Sequence, residues 1–153
     1  MNNKSIIFIF LVLTILLIGC SKAIQDKDIL SINLREHKEL ALHIHPVIEI
    51  VISGNSYPIP ANIGITNQGM AVMHTHDSSG NLHVESPYPH QFYLRDFFTI
   101  WGMNLNSTCI FLYCEDTEHT LHFYVNDLES ELRENLPLYD KDRIRIVYES
   151  NSD

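Results

Sequence analysis

Alternating apolar and polar residues predict a strand over residues 42–52. The isoleucines of this segment share one face, while His43 and His45 share the other. Because the isoleucine face must be the core face, both histidines are expected to point away from the core. Residues 53–55 predict a turn, and residues 56–60 a short returning strand whose prolines suit a sheet edge.

A second alternating segment predicts a β-hairpin over residues 70–86, with its loop at residues 77–80. This loop places His74 directly opposite His83, with His76 two positions further along the same face. Directly opposed side chains have Cβ atoms about 5 Å apart. The hairpin is therefore expected to present three neighbouring imidazole rings.

Apolar residues at helical spacing predict a short helix over residues 94–101 that ends at Gly102. Strands are predicted over residues 108–114, 120–125 and 144–148. A hairpin, a helix and then further strands resemble a β-grasp domain. We therefore predict an α+β, mostly β fold: a β-grasp-like sheet with one short helix, into which the hairpin of residues 70–86 is inserted. A small β-sandwich is the alternative.

The first nineteen residues are predicted to be a lipoprotein signal peptide. Lys4 precedes an apolar run over residues 6–18, which is shorter than a membrane-spanning helix requires. The sequence Leu-Ile-Gly-Cys at residues 17–20 resembles a prokaryotic lipobox. This resemblance implies cleavage before Cys20 and a lipid on that cysteine, whereas the alternative is an uncleaved anchor helix.

This leader predicts the organisation and location of the rest of the chain. Residues 20–40 are polar with weak periodicity and are predicted to be a tether, and residues 41–150 a single β-rich domain. The domain is expected to be extracytoplasmic and anchored to a membrane, with membrane lipid as its partner through Cys20.

The charge of the chain argues against one class of partner. Ten lysines and arginines stand against nineteen aspartates and glutamates, a formal net charge of −9. Such a surface repels phosphate backbones, so nucleic acid is not expected to bind.

Cys109 and Cys114 are separated by five positions. In a regular strand this spacing puts their side chains on opposite faces. A disulfide between them would need a bend or bulge, so two separate thiols are expected.

Five histidines in two short segments predict a metal site. They are His43, His45, His74, His76 and His83. Neutral imidazole is the commonest metal ligand in proteins and suits both copper and zinc. Two histidines separated by one residue on a strand project from one face about 6.6 Å apart, so they can converge on one ion. Solvated surface histidines are the alternative, but such histidines have no reason to cluster.

The expected cofactor is a copper or zinc ion. Copper is slightly favoured by the predicted extracytoplasmic location and by the soft sulfur atoms of Met70, Met73 and Cys109, if these approach the histidines. Zinc needs only three or four of the imidazole nitrogens.

Several segments together carry a resemblance. They are His-Ile-His-Pro at 43–46, Ile-Pro-Ala-Asn-Ile-Gly-Ile at 59–65, His-Thr-His-Asp-Ser-Ser-Gly at 74–80, Leu-His-Val-Glu-Ser-Pro at 82–87, and Phe-Phe-Thr-Ile-Trp at 97–101. The combination resembles a family of small histidine-rich extracytoplasmic domains of archaea and bacteria that have no agreed function. The resemblance implies a shared fold and the same five histidine positions, and it implies no activity.

Three functions fit these observations. The first is a membrane-anchored metal-binding module, and the second is a metal-dependent enzyme such as a cupin-like oxidase, dismutase or hydrolase. The third is an interaction domain whose histidines lie apart. An enzyme would keep an open coordination position and an acid or base such as Glu85 nearby. The sequence contains no nucleophile elbow, zinc-protease helix motif or phosphate-binding loop, so the binding module is the prediction.

Overall fold

The structure is a computed structural model that describes residues 29–152. The predicted signal peptide, Cys20 and the first part of the predicted tether lie outside the described residues. Within residues 29–152, no helix has the length and apolar character needed to cross a membrane.

The regular elements of the described chain are mostly strands, with one α-helix. The strands are β1 (Leu42–Ile44), β2 (Val47–Ile52), β3 (Asn55–Tyr57), β4 (Met73–His74), β5 (His83–Ser86), β6 (Cys109–Ile110), β7 (Tyr113–Cys114), β8 (His119–Val125), β9 (Leu128–Glu129) and β10 (Arg143–Ser150). The helix α1 spans Leu94–Trp101, and short 3-10 turns span Leu34–Glu36 and Arg133–Asn135.

A five-stranded mixed sheet forms the frame, in the order β3-β2-β10-β8-β9. The last strand, β10, runs parallel to β2 on one side and antiparallel to β8 on the other. The hairpin β2–β3, a helix and the last strand beside β2 follow one another along the chain as in the predicted β-grasp-like arrangement. The prediction of a mostly β, α+β fold is thus confirmed, and the parallel pair distinguishes this sheet from the antiparallel sheets of a β-sandwich.

Burial along β2 follows the predicted alternation. Ile48, Ile50 and Ile52 are buried, while Val47 and Glu49 on the opposite face are exposed. Burying an isoleucine side chain stabilises the fold by roughly 1.5–3 kcal/mol. This face therefore sets the orientation of β2 in the sheet, and β3 occupies the sheet edge that its nearby prolines favour.

The single strand predicted over residues 42–52 is wrong. The chain instead forms β1 and β2, which belong to two different sheets. Pro46 lies between them and has no N–H to donate to a ladder. The segment of His45 and Pro46 is therefore where the chain passes from the small sheet to the large one.

The small sheet has the order β1-β5-β4 and is antiparallel. Strands β4 and β5 form the predicted hairpin, inserted in the chain between β3 and α1. His74 pairs with His83 as the register predicted. The ladder is shorter than expected because Asn81 bridges to Val47 on β2 instead of continuing the hairpin.

Helix α1 has the predicted bounds. Leu94, Phe97 and Phe98 are buried on its apolar face, and Gly102 ends it in the left-handed conformation. The helix packs near β4, so its aromatic side chains belong to the same core that supports the small sheet.

The strand predicted over residues 108–114 and the two separate thiols are both wrong. The segment folds back on itself as the hairpin β6–β7, with Phe111 at a φ of 55° in the turn. This turn is the bend that a bridge requires, and it brings Cys109 opposite Cys114 with Cα atoms 4.1 Å apart. The two cysteines form a disulfide.

Part of the segment assigned to the tether is packed against the domain. Ile29 and Leu34 are buried in the core. The Leu34 backbone donates a hydrogen bond to the Met70 carbonyl at 2.8 Å, and the Asn33 side chain accepts one from the Met70 backbone at 3.1 Å. The packed part of the chain therefore includes residues before Ala41.

Candidate metal centre

The small sheet brings the histidines of the two sequence segments together. Strand β5 is its middle strand, with β1 on one side and β4 on the other. His83 on β5 therefore lies between two pairs. His43 and His45 come from β1 and the residue that follows it, and His74 and His76 come from β4 and the loop beyond it.

These histidines form two overlapping groups that could each hold a metal ion. The first group, which we call the buried triad because His74 is buried, consists of His74, His76 and His83. The second, the outer triad, consists of His43, His45 and His83. In each triad, one donor atom from each residue lies within 4.8 Å of the others. The rings of His45 and His76 are each centred 4.6 Å from that of His83. The arrangement differs from the expected single group of five, because His83 is the shared member.

The His74 side chain is fully buried and has its tautomer set by the backbone. Its Nδ1 lies 3.0 Å from the carbonyl oxygen of Ala71. A carbonyl only accepts hydrogen bonds, so Nδ1 carries the hydrogen and Nε2 keeps a lone pair. That Nε2 is buried and has no hydrogen-bond partner.

The buried triad fits a transition-metal ion. A buried polar atom without a partner costs about 1–3 kcal/mol, and a bound ion would satisfy the Nε2 of His74. His76 is exposed, so three imidazole nitrogens would leave a coordination position towards solvent. Three imidazoles form a donor set that suits both Zn(II) and Cu(II).

Glu85 orients two histidines of the outer triad. Its Oε1 lies 3.1 Å from His43 Nε2 and 3.4 Å from His83 Nδ1, and its side chain is only 12% exposed. A carboxylate accepts hydrogen bonds, so His83 Nδ1 donates to Glu85. Nε2 of His83 is then the lone-pair nitrogen, as in the carboxylate–histidine pairs of known metal sites.

His45 is held by a carboxylate from another part of the chain. The Asp140 side chain accepts a hydrogen bond from the His45 backbone at 2.9 Å, and its Oδ1 lies 3.8 Å from His45 Nδ1. The position of the outer triad thus depends on the segment that precedes β10.

Two of the histidines are shifted towards their neutral, metal-binding form. Burial lowers the pKa of His74. Burial also lowers the pKa of His83, where the nearby His45 and His76 rings act in the same direction and Glu85 opposes them. Neutral imidazole is the ligand form, so fewer protons compete with an ion at these two rings than at an exposed histidine.

Residues 59–65 support the hairpin through contacts with β4 and the residue after it, a role that the sequence pattern did not predict. The Thr75 hydroxyl donates to the Pro60 carbonyl at 2.8 Å and accepts from the Ile63 backbone at 3.1 Å. Gly64, at a φ of 71°, lies so close that an added Cβ would be 2.4 Å from the Met73 carbonyl oxygen. The signal for this role in the sequence is the run Ile-Pro-Ala-Asn-Ile-Gly-Ile at 59–65, one of the segments that carry the family resemblance.

The soft sulfur atoms considered in favour of copper have other roles. The Cys109 sulfur is bonded to Cys114, and Met73 is fully buried in the core. Met73 also alternates with His74 along β4, so the two side chains project to opposite faces. Met70 is partly buried against the core. The two described groups that could hold an ion consist of histidines alone.

The remaining described histidines have partners away from this cluster. His119 contacts Asp116 and His122 contacts Glu129. His37 contacts Tyr88 and His90 contacts Phe92. None of these four histidines belongs to the groups that could hold an ion.

Comparison with known proteins finds no relative. No protein-family model matches the chain, and the searches of curated proteins and of solved structures found no match either. The resemblance to a histidine-rich extracytoplasmic family stays a prediction.

Proposed function

We propose that the protein is a membrane-anchored, extracytoplasmic metal-binding module that holds a copper or zinc ion in its histidine cluster. The observation that carries the proposal is the Nε2 atom of His74, which is buried and without a hydrogen-bond partner, in a residue that groups with His76 and His83 as possible metal ligands. A core that did not bind an ion would place an apolar side chain here at lower cost.

The buried triad is the principal site in this proposal. His74 Nε2, His83 Nε2 and one nitrogen of His76 would bind the ion, while Ala71 and Glu85 hold the hydrogens of the first two rings. The ion would supply charge that offsets part of the negative charge of the chain. Zn(II) and Cu(II) both accept such nitrogen donors, so the titration below decides which of the two metals binds more tightly.

Calorimetric titration of the full-length chain with Zn(II) and with Cu(II) tests the proposal. We expect saturable binding of one ion at about pH 7.5 and weaker binding at about pH 5, because protons compete for imidazole. His74→Ala should lose most of the affinity. His122→Ala, which removes a histidine paired with Glu129 on the large sheet, is the matched control and should bind as the unsubstituted chain does.

Failure of both metals to bind, or equal binding by the His74→Ala variant, would contradict the proposed site. Affinity that does not change between the two pH values would argue against imidazole ligands. The ion with the lower dissociation constant in the same buffer is the preferred metal.

The anchor is proposed from the sequence around Cys20, with its apolar leader and lipobox-like ending. Cells expressing the full-length chain and fed a labelled fatty acid should incorporate the label into the protein, and a Cys20→Ser variant should not. Cys109 and Cys114 remain in that variant, so label that persists would place the modification elsewhere and contradict the assignment.

A further inference from the structure

His83 belongs to both triads, yet it has one nitrogen to offer. Its Nδ1 faces Glu85 Oε1 at 3.4 Å and donates to that carboxylate. Only the lone pair on Nε2 remains for a metal. One lone pair binds one ion, so the two triads compete for the same donor atom.

The two triads differ in their access to solvent. The side chains of His43 and His45 are 49% and 37% exposed, whereas His83 is 22% exposed and His74 is fully buried. The outer triad can therefore meet a hydrated ion directly. His76 is exposed as well, so besides the shared His83 the buried triad offers one exposed imidazole to an arriving ion, whereas the outer triad offers two.

We propose that the outer triad captures the ion and passes it to the buried triad, with His83 bound to the ion throughout. This inference rests on the proposed function, and it assigns His43 and His45 to loading and release of the ion. The ligand taken is a hydrated divalent cation that prefers imidazole.

The transfer is an exchange of ligands without oxidation or reduction. The bonds from the ion to His43 and His45 break, and bonds to His74 Nε2 and to His76 form. The bond to His83 Nε2 is kept. All of these imidazoles are neutral when bound, so the transfer moves no proton, and Glu85 keeps the hydrogen of His83 Nδ1 in both positions.

Simultaneous occupancy of both triads is disfavoured for two reasons. A second ion would need His83 Nδ1 as a ligand, but this atom carries a hydrogen that it donates to Glu85. Two divalent ions that shared one imidazole would also repel each other strongly in this partly buried setting. The structure thus favours a stoichiometry of one ion.

Rates of Zn(II) uptake and release test the transfer. Uptake by the full-length chain is followed by stopped flow with a fluorescent zinc indicator, and release is followed after addition of excess EDTA. In the double variant His43→Ala/His45→Ala, both rates should fall by the same factor, about tenfold if the lost route lowered the barrier by about 1.4 kcal/mol. The dissociation constant and the stoichiometry of one should stay unchanged, since a residue that acts only on the route changes both rates equally.

The double variant His119→Ala/His122→Ala is the matched control, because it also removes two partly exposed, carboxylate-paired histidines. It should keep both rates. His43→Gln alone is a milder second variant and should slow uptake and release together by a smaller factor. His83→Ala should lose affinity, since it removes the donor that both triads use.

Three outcomes would overturn the transfer while leaving the proposed function in place. They are a weaker dissociation constant in the His43→Ala/His45→Ala variant, unchanged rates in that variant, and binding of two Zn(II) ions by the unsubstituted chain. Absence of any Zn(II) or Cu(II) binding by the unsubstituted chain would instead overturn both.

Discussion

His74 and His83 lie opposite each other in the β4–β5 ladder, with their ring centroids 5.2 Å apart and their ring planes 19° apart. Two imidazolium rings at this separation would repel each other, and one of them has no access to water. The fold therefore disfavours protonation of the two rings together and favours the neutral form, which is the form that binds a metal ion.

The stability of the metal-free protein should decrease in weak acid. The pKa values of His74 and His83 lie below their ordinary value of 6.5, chiefly because of burial. The unfolded chain therefore takes up these protons at a higher pH than the folded chain does. The contribution of the two rings to the free energy of unfolding is complete above pH 6.5, and it is lost as the pH falls through the lowered pKa values of the folded state.

Urea denaturation of chelator-treated protein between about pH 7.5 and pH 5 measures this effect. The His74→Gln variant, which lacks one of the two titrating groups, should show a smaller loss of unfolding free energy over the same range. An equal loss in the variant would show that other groups cause the pH dependence.

Replacing Glu85 by glutamine should weaken metal binding. The carboxylate accepts a hydrogen bond from His83 and lies 3.1 Å from His43 Nε2, and the amide of glutamine lacks the negative charge that attracts both rings. Loss of such an orienting partner typically lowers metal affinity by about 10–100-fold. Calorimetry with Zn(II) checks the change, and Glu49→Gln on the exposed face of β2 serves as the control that should bind normally.

Replacing Thr75 by valine should destabilise the fold. The valine keeps the shape of threonine but leaves the Pro60 carbonyl and the Ile63 N–H without their buried partner. Each lost bond of this kind costs about 1–3 kcal/mol, so we expect a lower urea midpoint with an unchanged slope. Thr99→Val on the exposed face of α1 should change the free energy of unfolding by less than about 0.5 kcal/mol. Similar values for the two variants would contradict the supporting role of Thr75.

Removing the disulfide should lower stability and leave metal binding intact. The bond between Cys109 and Cys114 closes a short loop in the separate β6–β7 hairpin. Loop-closure entropy predicts that Cys109→Ser/Cys114→Ser loses roughly 2 kcal/mol of unfolding free energy. A thiol reductant should shift the unsubstituted chain by a similar amount. A changed Zn(II) or Cu(II) affinity in the double variant would indicate that sulfur takes part in the site.

Local patterns in the sequence were sufficient for several elements. The spacing of Leu94, Phe97 and Phe98 predicted α1 with its correct bounds, because one turn of helix repeats over a few residues. Alternation also predicted the core face of β2. Together with the loop length, it predicted the pairing of His74 with His83, because pattern and loop length fix the register of a hairpin.

Errors arose where the outcome depended on contacts between distant residues. Residues 42–52 read as one strand, although β1 pairs with β5 and β2 pairs with β10. The error at Cys109 and Cys114 was local instead. Their spacing excluded a bridge only for a straight strand, and the chain turns at Phe111.

The sequence by itself determined which residues have the chemistry to bind a metal and which face of each strand they occupy, because side-chain direction repeats over two residues. Only the tertiary structure decided that His83 lies between two pairs, since the sheet order β1-β5-β4 joins segments about forty residues apart. It also buried His74 close to Gly64 and placed Glu85 between two rings. Pairing between distant strands depends on the packing of the whole core, which periodicity along one segment does not encode.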